Sequence, residues 1–253
     1  PVSPRAWRSP SAESIESGTG MAKRPIFVPE PNGGLVEERT VEFKWFPGFA
    51  MVQKQRSIES LHLSSSAEPD VSQVLEVSTK SPQRLGVQLS AFNLSIAIAG
   101  HGHPVLLEAA FQGSKVFASQ GPFTHLYSVQ SGTEVKRFMK ELPEDELTCF
   151  QFDGNQWALT PRTAFYDWLY IGALRELVAN ADDFEDALLG YDAFTDIEFN
   201  PAKSINCQAR SCALYAALLK AGILRDATTD PESFIEVLKD HGYGVEPNQG
   251  RLL

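Results

Sequence analysis

The first half of the chain contains short runs in which apolar and polar residues alternate, the pattern of half-buried β-strands. These runs predict strands over 41–45, 74–77, 87–99, 148–152 and 156–159. Asp153-Gly154 separates the last two and predicts a hairpin turn. Helical periodicity in this half predicts three helices, over 53–63, 104–118 and 134–140.

The second half is dominated by segments with helical periodicity. They predict helices over 160–179, 184–189, 204–220 and 231–240. Three of these segments open with residues that favour helix N-termini: Thr160-Pro161, Ser204 and Asp230-Pro231. Because neither a repeat nor a linker separates the halves, we predict one α+β domain whose mainly helical second half packs on a small sheet.

The two ends of the chain differ in composition from the rest. Residues 1–20 are rich in Ser, Pro and Gly, and a different composition starts at Met21. We expect residues 1–24 to be a disordered N-terminal extension or a cloning remnant. Residues 25–241 are expected to form the domain, and residues 242–253 a loose C-terminal tail.

The predicted helix over 104–118 carries a narrow polar stripe. At about 100° per residue, Glu108, Gln112 and Lys115 fall within an arc of about 60°, and nearly all other positions are apolar or small. A surface helix normally shows a wider polar face. The stripe therefore indicates a buried helix that lines a cavity, although a short solvated amphipathic helix has the same periodicity.

An acid and an amine in one cavity suggest chemistry. Glu108 and Lys115 are seven residues apart, which is about 10 Å along a helix axis, with Gln112 between them. In a dry cavity, the pKa values of carboxylates and amines shift toward neutrality. The stripe therefore suits acid–base or covalent catalysis at a sugar carbon.

A second candidate site lies at the start of the predicted helix over 204–220. Helix N-termini offer free N–H groups and partial positive charge, which favour a diphosphate. Asn206 and Arg210 lie one turn apart and are predicted to contribute. The alternative is an ordinary capped helix with a surface arginine.

Other polar and aromatic residues leave a functional and a structural interpretation open. Asn93 could contact a ligand or form a turn, and Asp167 is expected to have a buried polar partner in its apolar helix. Four aromatic residues could sandwich a nucleobase or pack in the core: Phe92, Trp157, Tyr166 and Trp168.

Charge and cysteine content exclude several classes. The net charge of −10 argues against a clamp on duplex DNA, but not against a small nucleic-acid ligand in a local pocket. The three cysteines show no metal spacing, and His101 and His103 have no convincing third ligand. We expect a cytoplasmic protein with no membrane span, no metal and no cofactor.

Several segments of the sequence resemble a known family. The segment EAAFQGSK at 108–115 is similar to the E-x-x-[YF]-Q-x-x-K motif of NADAR-domain proteins. The segment SAFN at 90–93, within a predicted strand, resembles their F-S-N-F element. Asn206 resembles the Asn that opens their C-terminal helix. Five further segments resemble the subgroup that serves as antitoxin to DarT-type DNA guanine ADP-ribosyltransferases. They are VEFKWFPGFA, LEVSTKS, GPFTHLY, TAFYDWLY and FTDIEFNPAKSINCQARSCAL. The resemblance covers about 24–238.

The resemblance implies an α+β glycohydrolase that removes ADP-ribose from guanine in DNA, with Glu108 and Lys115 catalytic. We expect single-stranded DNA as substrate, free ADP-ribose as product and a DarT-type toxin as functional partner. In place of the family's W-G-x-G stretch the chain has FTDIEFNPAKSIN, from which Asp196 is chosen as the second carboxylate and Glu198 as the reserve. The predicted substrate-binding residues are Ser90, Phe92, Asn93, Phe111, Gln112, Trp157, Trp168, Asn206 and Arg210.

Two other functions stay open. One is an N-glycosidase acting on a small nucleotide or riboflavin-pathway metabolite. The other is an antitoxin that binds ADP-ribose or its toxin without catalysis. A buried acid and amine together favour an enzyme, because recognition alone does not need both.

Overall fold

The computed structural model describes residues 20–179 and 183–243. It opens with a long antiparallel hairpin of β1 (Met21–Glu30) and β2 (Leu35–Lys44), paired from Met21↔Lys44 to Glu30↔Leu35. On β2, Val41 and Phe43 are buried while Glu42 and Lys44 are exposed, which is the predicted alternation. The assignment of residues 21–24 to the extension is wrong, because they pair with 41–44.

The main sheet has the order β2-β1-β9-β3, where β3 is Val74–Glu76 and β9 is Ala193–Thr195. β9 lies antiparallel to β1 through Phe27↔Phe194 and parallel to β3 through Leu75↔Phe194. All six residues of β3 and β9 are buried. The sequence predicts β3 but not β9, because three buried residues show no period.

The described helices lie mainly on this sheet and on one another. They are α1 (Met51–Ser65), α2 (Arg84–Gln88), α3 (Leu107–Gly113), α4 (Gly132–Glu141), α5 (Ala164–Val178), α6 (Phe184–Leu189), α7 (Gln208–Lys220), α8 (Leu224–Ala227) and α9 (Pro231–Asp240). A 3₁₀ helix covers Thr124–Ser128. As predicted, Asp230 caps α9, accepting the Ser233 N–H at 2.7 Å.

α7 is the central helix. From Gln208 to Leu218 every residue except Arg210 is buried, as expected for a helix that is apolar nearly all round. α7 packs against β1, β2 and β9 on one side and α5 on another. The predicted α+β class, with helices of the second half on a small sheet, is confirmed.

Short strands complete the fold. β4 (Ser95–Ile96) pairs with β5 (Val105–Leu106). A three-stranded sheet has the order β6-β7-β8, formed by β6 (Lys115–Phe117), β7 (Leu147–Phe152) and β8 (Asn155–Trp157). The predicted hairpin of β7 and β8 is confirmed, with Phe152↔Asn155 next to the turn.

Two predicted elements are wrong in extent. Most of the strand predicted over 87–99 is instead the end of α2 and a turn at 90–93, closed by the Asn93 and Leu94 N–H groups on the Ser90 carbonyl. The helix predicted over 104–118 is the short α3 between β5 and β6. It ends because Lys115 pairs with Phe150 of β7, and a ladder cannot form from a helical backbone.

The C-terminal prediction is partly wrong. Tyr243 belongs to the predicted loose tail but is only 2% exposed, and the Arg210 guanidinium lies 4.5 Å from its ring centroid. Residues 1–19 and 244–253 of the predicted extension and tail lie outside the described part of the chain.

Gly86 allows α2 to approach β3 closely. A Cβ atom at this position would lie 1.9 Å from the Glu76 carbonyl oxygen and 2.4 Å from Ser81 Oγ. We expect Gly86→Ala to lower the free energy of unfolding by about 3 kcal/mol, because backbone atoms must move to accommodate it. Gly102→Ala is the control, since nothing lies within 4 Å of the added atom. Urea denaturation measures both, and equal stabilities would contradict the close packing.

Candidate active site

The polar stripe of α3 is present on two successive turns. Gln112 Nε2 donates to Glu108 Oε1 at 3.2 Å, while Ala109, Ala110 and Phe111 between them are buried. Gln112 Oε1 is also buried and accepts no hydrogen bond from any residue that the structure describes. An unsatisfied acceptor in such a position is suited to a donor on a ligand.

Lys115 lies on β6 and still reaches the stripe. Its ammonium is 5.3 Å from the ring centroid of Phe111, one turn of α3 earlier. Burial lowers the pKa of Lys115, and the negative charge of Glu108 partly opposes this. The acid and the amine therefore interact, but through a helix–strand junction and not along one helix as predicted.

Phe92 borders the same space. The residue is 48% exposed, and the Lys136 ammonium lies 4.3 Å from the centroid of its ring. A Cβ atom on Gly132 would lie 3.4 Å from Phe92 Cδ1 and 3.9 Å from Glu108 Cγ. An exposed aromatic ring beside a half-buried carboxylate provides a platform for a planar ligand.

Asp196, the predicted second carboxylate, is buried just after β9. Its Oδ2 accepts from Gln208 Nε2 at 2.9 Å, and its Oδ1 accepts from the Glu198 N–H at 3.0 Å. Gln208 Oε1 in turn accepts from the Ala91 N–H at 2.7 Å. This chain of bonds ties Asp196 to the turn that carries Phe92.

Glu76, the last residue of β3, is a buried acid that the sequence pattern does not predict. Its carboxylate is buried and accepts from Ser78 Oγ at 2.6 Å, Thr195 Oγ1 at 2.8 Å and the Ile197 N–H at 2.9 Å. Burial raises the pKa of Glu76, and the nearby charge of Asp196 raises it further. Burial also raises the pKa of Asp196, so the two acids favour a shared single charge.

Tyr166 is electrostatically coupled to residues of both groups. Its ring centroid is 5.3 Å from that of Phe111, and the charges of both Glu108 and Asp196 act on its hydroxyl. Burial, followed by these charges, raises the pKa of Tyr166 well above its usual range. Its hydroxyl is therefore neutral and acts only as a neutral hydrogen-bonding group.

The two predicted tryptophans lie elsewhere. Trp157 is 1% exposed and packs against Phe165, which agrees with the core-packing interpretation of this residue. Trp168 packs against Trp157 and Phe234, each with ring centroids 5.4 Å apart. Because residues two apart on a helix point about 200° apart, Trp168 faces away from the Tyr166 side of α5.

The predicted diphosphate site is not assembled as expected. α7 begins at Gln208 after Cys207, so Ser204 does not cap it and Asn206 precedes the helix. Arg210 faces Asp167 and donates to Thr163 Oγ1 at 3.4 Å. A buried carboxylate needs such a cation, which explains why this arginine is directed inward.

Asp167, Ser90 and Asn93 are held by hydrogen bonds within the protein, whereas the side-chain oxygen of Asn206 has no donor among the described residues. Asp167 has the buried partner predicted for it, the Ser211 hydroxyl. Asn206 Oδ1 is buried and accepts no hydrogen bond from any described residue. The Asn93 amide donates to the Val87 carbonyl at 2.7 Å, and Ser90 is fully buried beside Gln208, so both stabilise the turn.

Within 20–179 and 183–243, no group of three or more His, Cys, Asp or Glu side chains is placed to hold a metal ion. The rings of His101 and His103 are 6.5 Å apart. In the same ranges, no helix is both long and apolar enough to cross a membrane.

Protonation of Glu76 predicts a pH dependence of stability. Its pKa is about 8 in the folded protein, against 4.5 as its ordinary value. The folded state therefore holds a proton that the unfolded chain has lost, and stability falls as the pH rises from about 5 to 8. Glu76 contributes up to about 1.4 kcal/mol per pH unit to this fall.

Glu76→Gln should remove that contribution and flatten the profile. Urea unfolding at pH 5, 6, 7 and 8 measures it for wild type and variant. Glu59→Gln, which changes an exposed glutamate of α1, should leave the slope as in wild type. A Glu76→Gln slope equal to that of wild type would show that Glu76 is ionised in the folded state.

A protein-family model matches most of the chain. Residues 22–246 match the family model NADAR-DarT1, described as DarT1-associated NADAR antitoxin. No curated protein matches the chain. The matched range includes Glu108, Lys115, Asp196 and the turn at 90–93, and it spans most of the chain. The chain therefore belongs to the family of DarT1-associated NADAR antitoxins.

Proposed function

We propose that this antitoxin is a glycohydrolase that cleaves the bond between ADP-ribose and guanine in DNA, and so reverses the modification made by a DarT1-type toxin. One observation carries the proposal. The desolvated amine of Lys115 and the carboxylate of Glu108 interact in one partly buried space bordered by an exposed aromatic ring, Phe92. Family membership supports the antitoxin role.

The surrounding groups suit the bond to be broken. Loss of guanine leaves positive charge at the anomeric carbon of the ribose, as in glycoside hydrolysis. In this proposal Glu108 stabilises this charge or activates water. Phe92 offers a surface on which the base can stack. Gln112 Oε1 offers an acceptor for a hydrogen bond from the base or the ribose.

Lys115 suits a covalent step. Its lowered pKa increases the neutral fraction of the amine. As the Nζ–C1 bond forms, the bond from C1 to guanine breaks, and the base leaves with the electron pair and takes up a proton. Opening of the ribose ring then gives an imine, which water hydrolyses to ADP-ribose and free lysine. A charged Lys115 would instead hold a ribose hydroxyl or a phosphate.

Asp196 is the proposed second carboxylate. The reserve candidate, Glu198, is exposed and pairs with Lys54 at 2.9 Å, which directs it away from the buried groups. Asp196 is buried and connected to the 90–93 turn through Gln208. It is therefore the better candidate for orienting water or a ribose hydroxyl.

Substitution of the acid and the amine tests the mechanism. We expect Lys115→Met and Glu108→Gln each to reduce cleavage of an ADP-ribosylated guanine oligonucleotide by about 10²- to 10⁴-fold. Borohydride during turnover should attach ADP-ribose to wild type but not to Lys115→Met. Lys239→Met, an exposed position on α9, is the matched control. Full activity of Lys115→Met would exclude the covalent route.

The substrate is tested with three assays on the wild-type protein. Release of ADP-ribose with recovery of unmodified oligonucleotide supports the proposed function. Cleavage of free nucleotide or riboflavin-pathway metabolites alone would identify a metabolite N-glycosidase. Tight binding of ADP-ribose without cleavage would identify a non-catalytic antitoxin.

A further inference from the structure

A second aromatic surface lies outside the candidate active site, where β2 leads into α1. We call it the 44–56 surface and define it by Lys44, Trp45, Phe46, Phe49 and Arg56. Phe49 is fully exposed, and the neighbouring Met51 and Val52 are 46% and 66% exposed. Adjacent exposed apolar side chains of this size usually mark a binding surface.

Cations cover the aromatic rings of this surface. The Arg56 guanidinium lies 4.0 Å and the Lys44 ammonium 5.3 Å from the ring centroid of Phe46. Neither cation forms an ion pair with a residue in the described ranges. In a chain of net charge −10, exposed positive charge on aromatic rings favours a polyanion that also has planar groups.

The helix that starts here adds to the positive potential. α1 is 15 residues long, has no side-chain cap at Ala50 and carries no acidic residue in its first turn. The free N–H groups and the helix dipole at such an end favour phosphate. The apolar residues, the cations and the helix end therefore all point to one type of ligand.

The 44–56 surface is connected to the candidate active site. Lys54, whose ammonium lies 5.1 Å from the Trp45 ring centroid, pairs with Glu198 at 2.9 Å. The Glu198 N–H donates to Asp196 Oδ1. One ion pair and one backbone hydrogen bond thus connect the residues around Trp45 to the buried carboxylate of Asp196.

We propose that the 44–56 surface binds the single-stranded nucleic acid that flanks the modified nucleotide. One unpaired base stacks on Phe49 and another on the guanidinium plane of Arg56, while Lys44 and the start of α1 contact phosphates. A duplex hides its base faces, so stacking of this kind requires a single strand. The inference rests on the proposed function, because it extends the same substrate beyond its reacting nucleotide.

Binding of an unmodified single-stranded 12-nucleotide DNA, measured by fluorescence anisotropy at low salt, tests the surface without catalysis. We expect Phe49→Ala to weaken binding roughly tenfold. The variant Lys44→Gln should reduce the slope of log K against log salt by about 0.7, because one phosphate contact is lost. Leu63→Ala, an exposed apolar residue of the same helix, and Lys239→Gln are controls that should bind as wild type does.

A second assay compares cleavage of an ADP-ribosylated mononucleotide with that of an ADP-ribosylated oligonucleotide. The surface variants should lower kcat/KM roughly tenfold for the oligonucleotide and leave the mononucleotide unchanged. If wild type cleaves neither, the proposed function fails and the binding assay alone decides the role of the surface.

Three results would overturn the inference. The first is that wild type does not bind the DNA at low salt, or that the surface variants bind it as tightly as wild type. The second is an equal loss of cleavage on both substrates, which would place the surface within the reacting centre. The third is loss of binding to the purified toxin with unchanged DNA affinity, which would make it a protein interface.

Discussion

Gln208 joins the three parts of the molecule on which the candidate site depends. Its amide group donates to Asp196 after β9, and its oxygen accepts from the backbone of the 90–93 turn. Because it is buried at the start of α7, an unmade bond on either side would be costly. The position of Phe92 is therefore coupled to the central sheet and to the charge state of the buried acids.

Burial of acids explains much of the site's electrostatic character. The chain is acidic overall, but Glu76 and Asp196 share a space too dry for two negative charges. Lys115 is partly desolvated near Glu108. The charges of Glu108 and Asp196 both act on Tyr166, so the acid pair and the desolvated amine lie in one electrostatically coupled region.

The sequence predicts the elements whose residues show a clear period or cap. The Glu108–Gln112 stripe, the α9 cap at Asp230 and the β7–β8 hairpin are of this kind. β9 and Glu76 were missed because a three-residue buried strand has no period and a buried carboxylate resembles a solvated one in sequence. α3 was predicted too long because pairing of Lys115 with Phe150 depends on a strand 35 residues later.

The aromatic residues show the same limit of prediction from sequence. Composition cannot distinguish Trp157, which packs in the core, from Phe92, which is half exposed, since both are large and apolar. Tertiary packing decides between them. The same applies to Arg210, whose helix-start position suggested a ligand but whose partner is the buried Asp167.

Tyr243 also affects where the domain can be cut. The last described helix ends at Asp240, and a shortened protein designed from secondary structure alone would stop there. Removal of Tyr243 would expose the Arg210 guanidinium beside Asp167. Water would then reach a buried polar cluster in the first turns of α5 and α7. The smallest independently folding unit must therefore keep the three residues that follow α9, and a fusion partner is better joined beyond them.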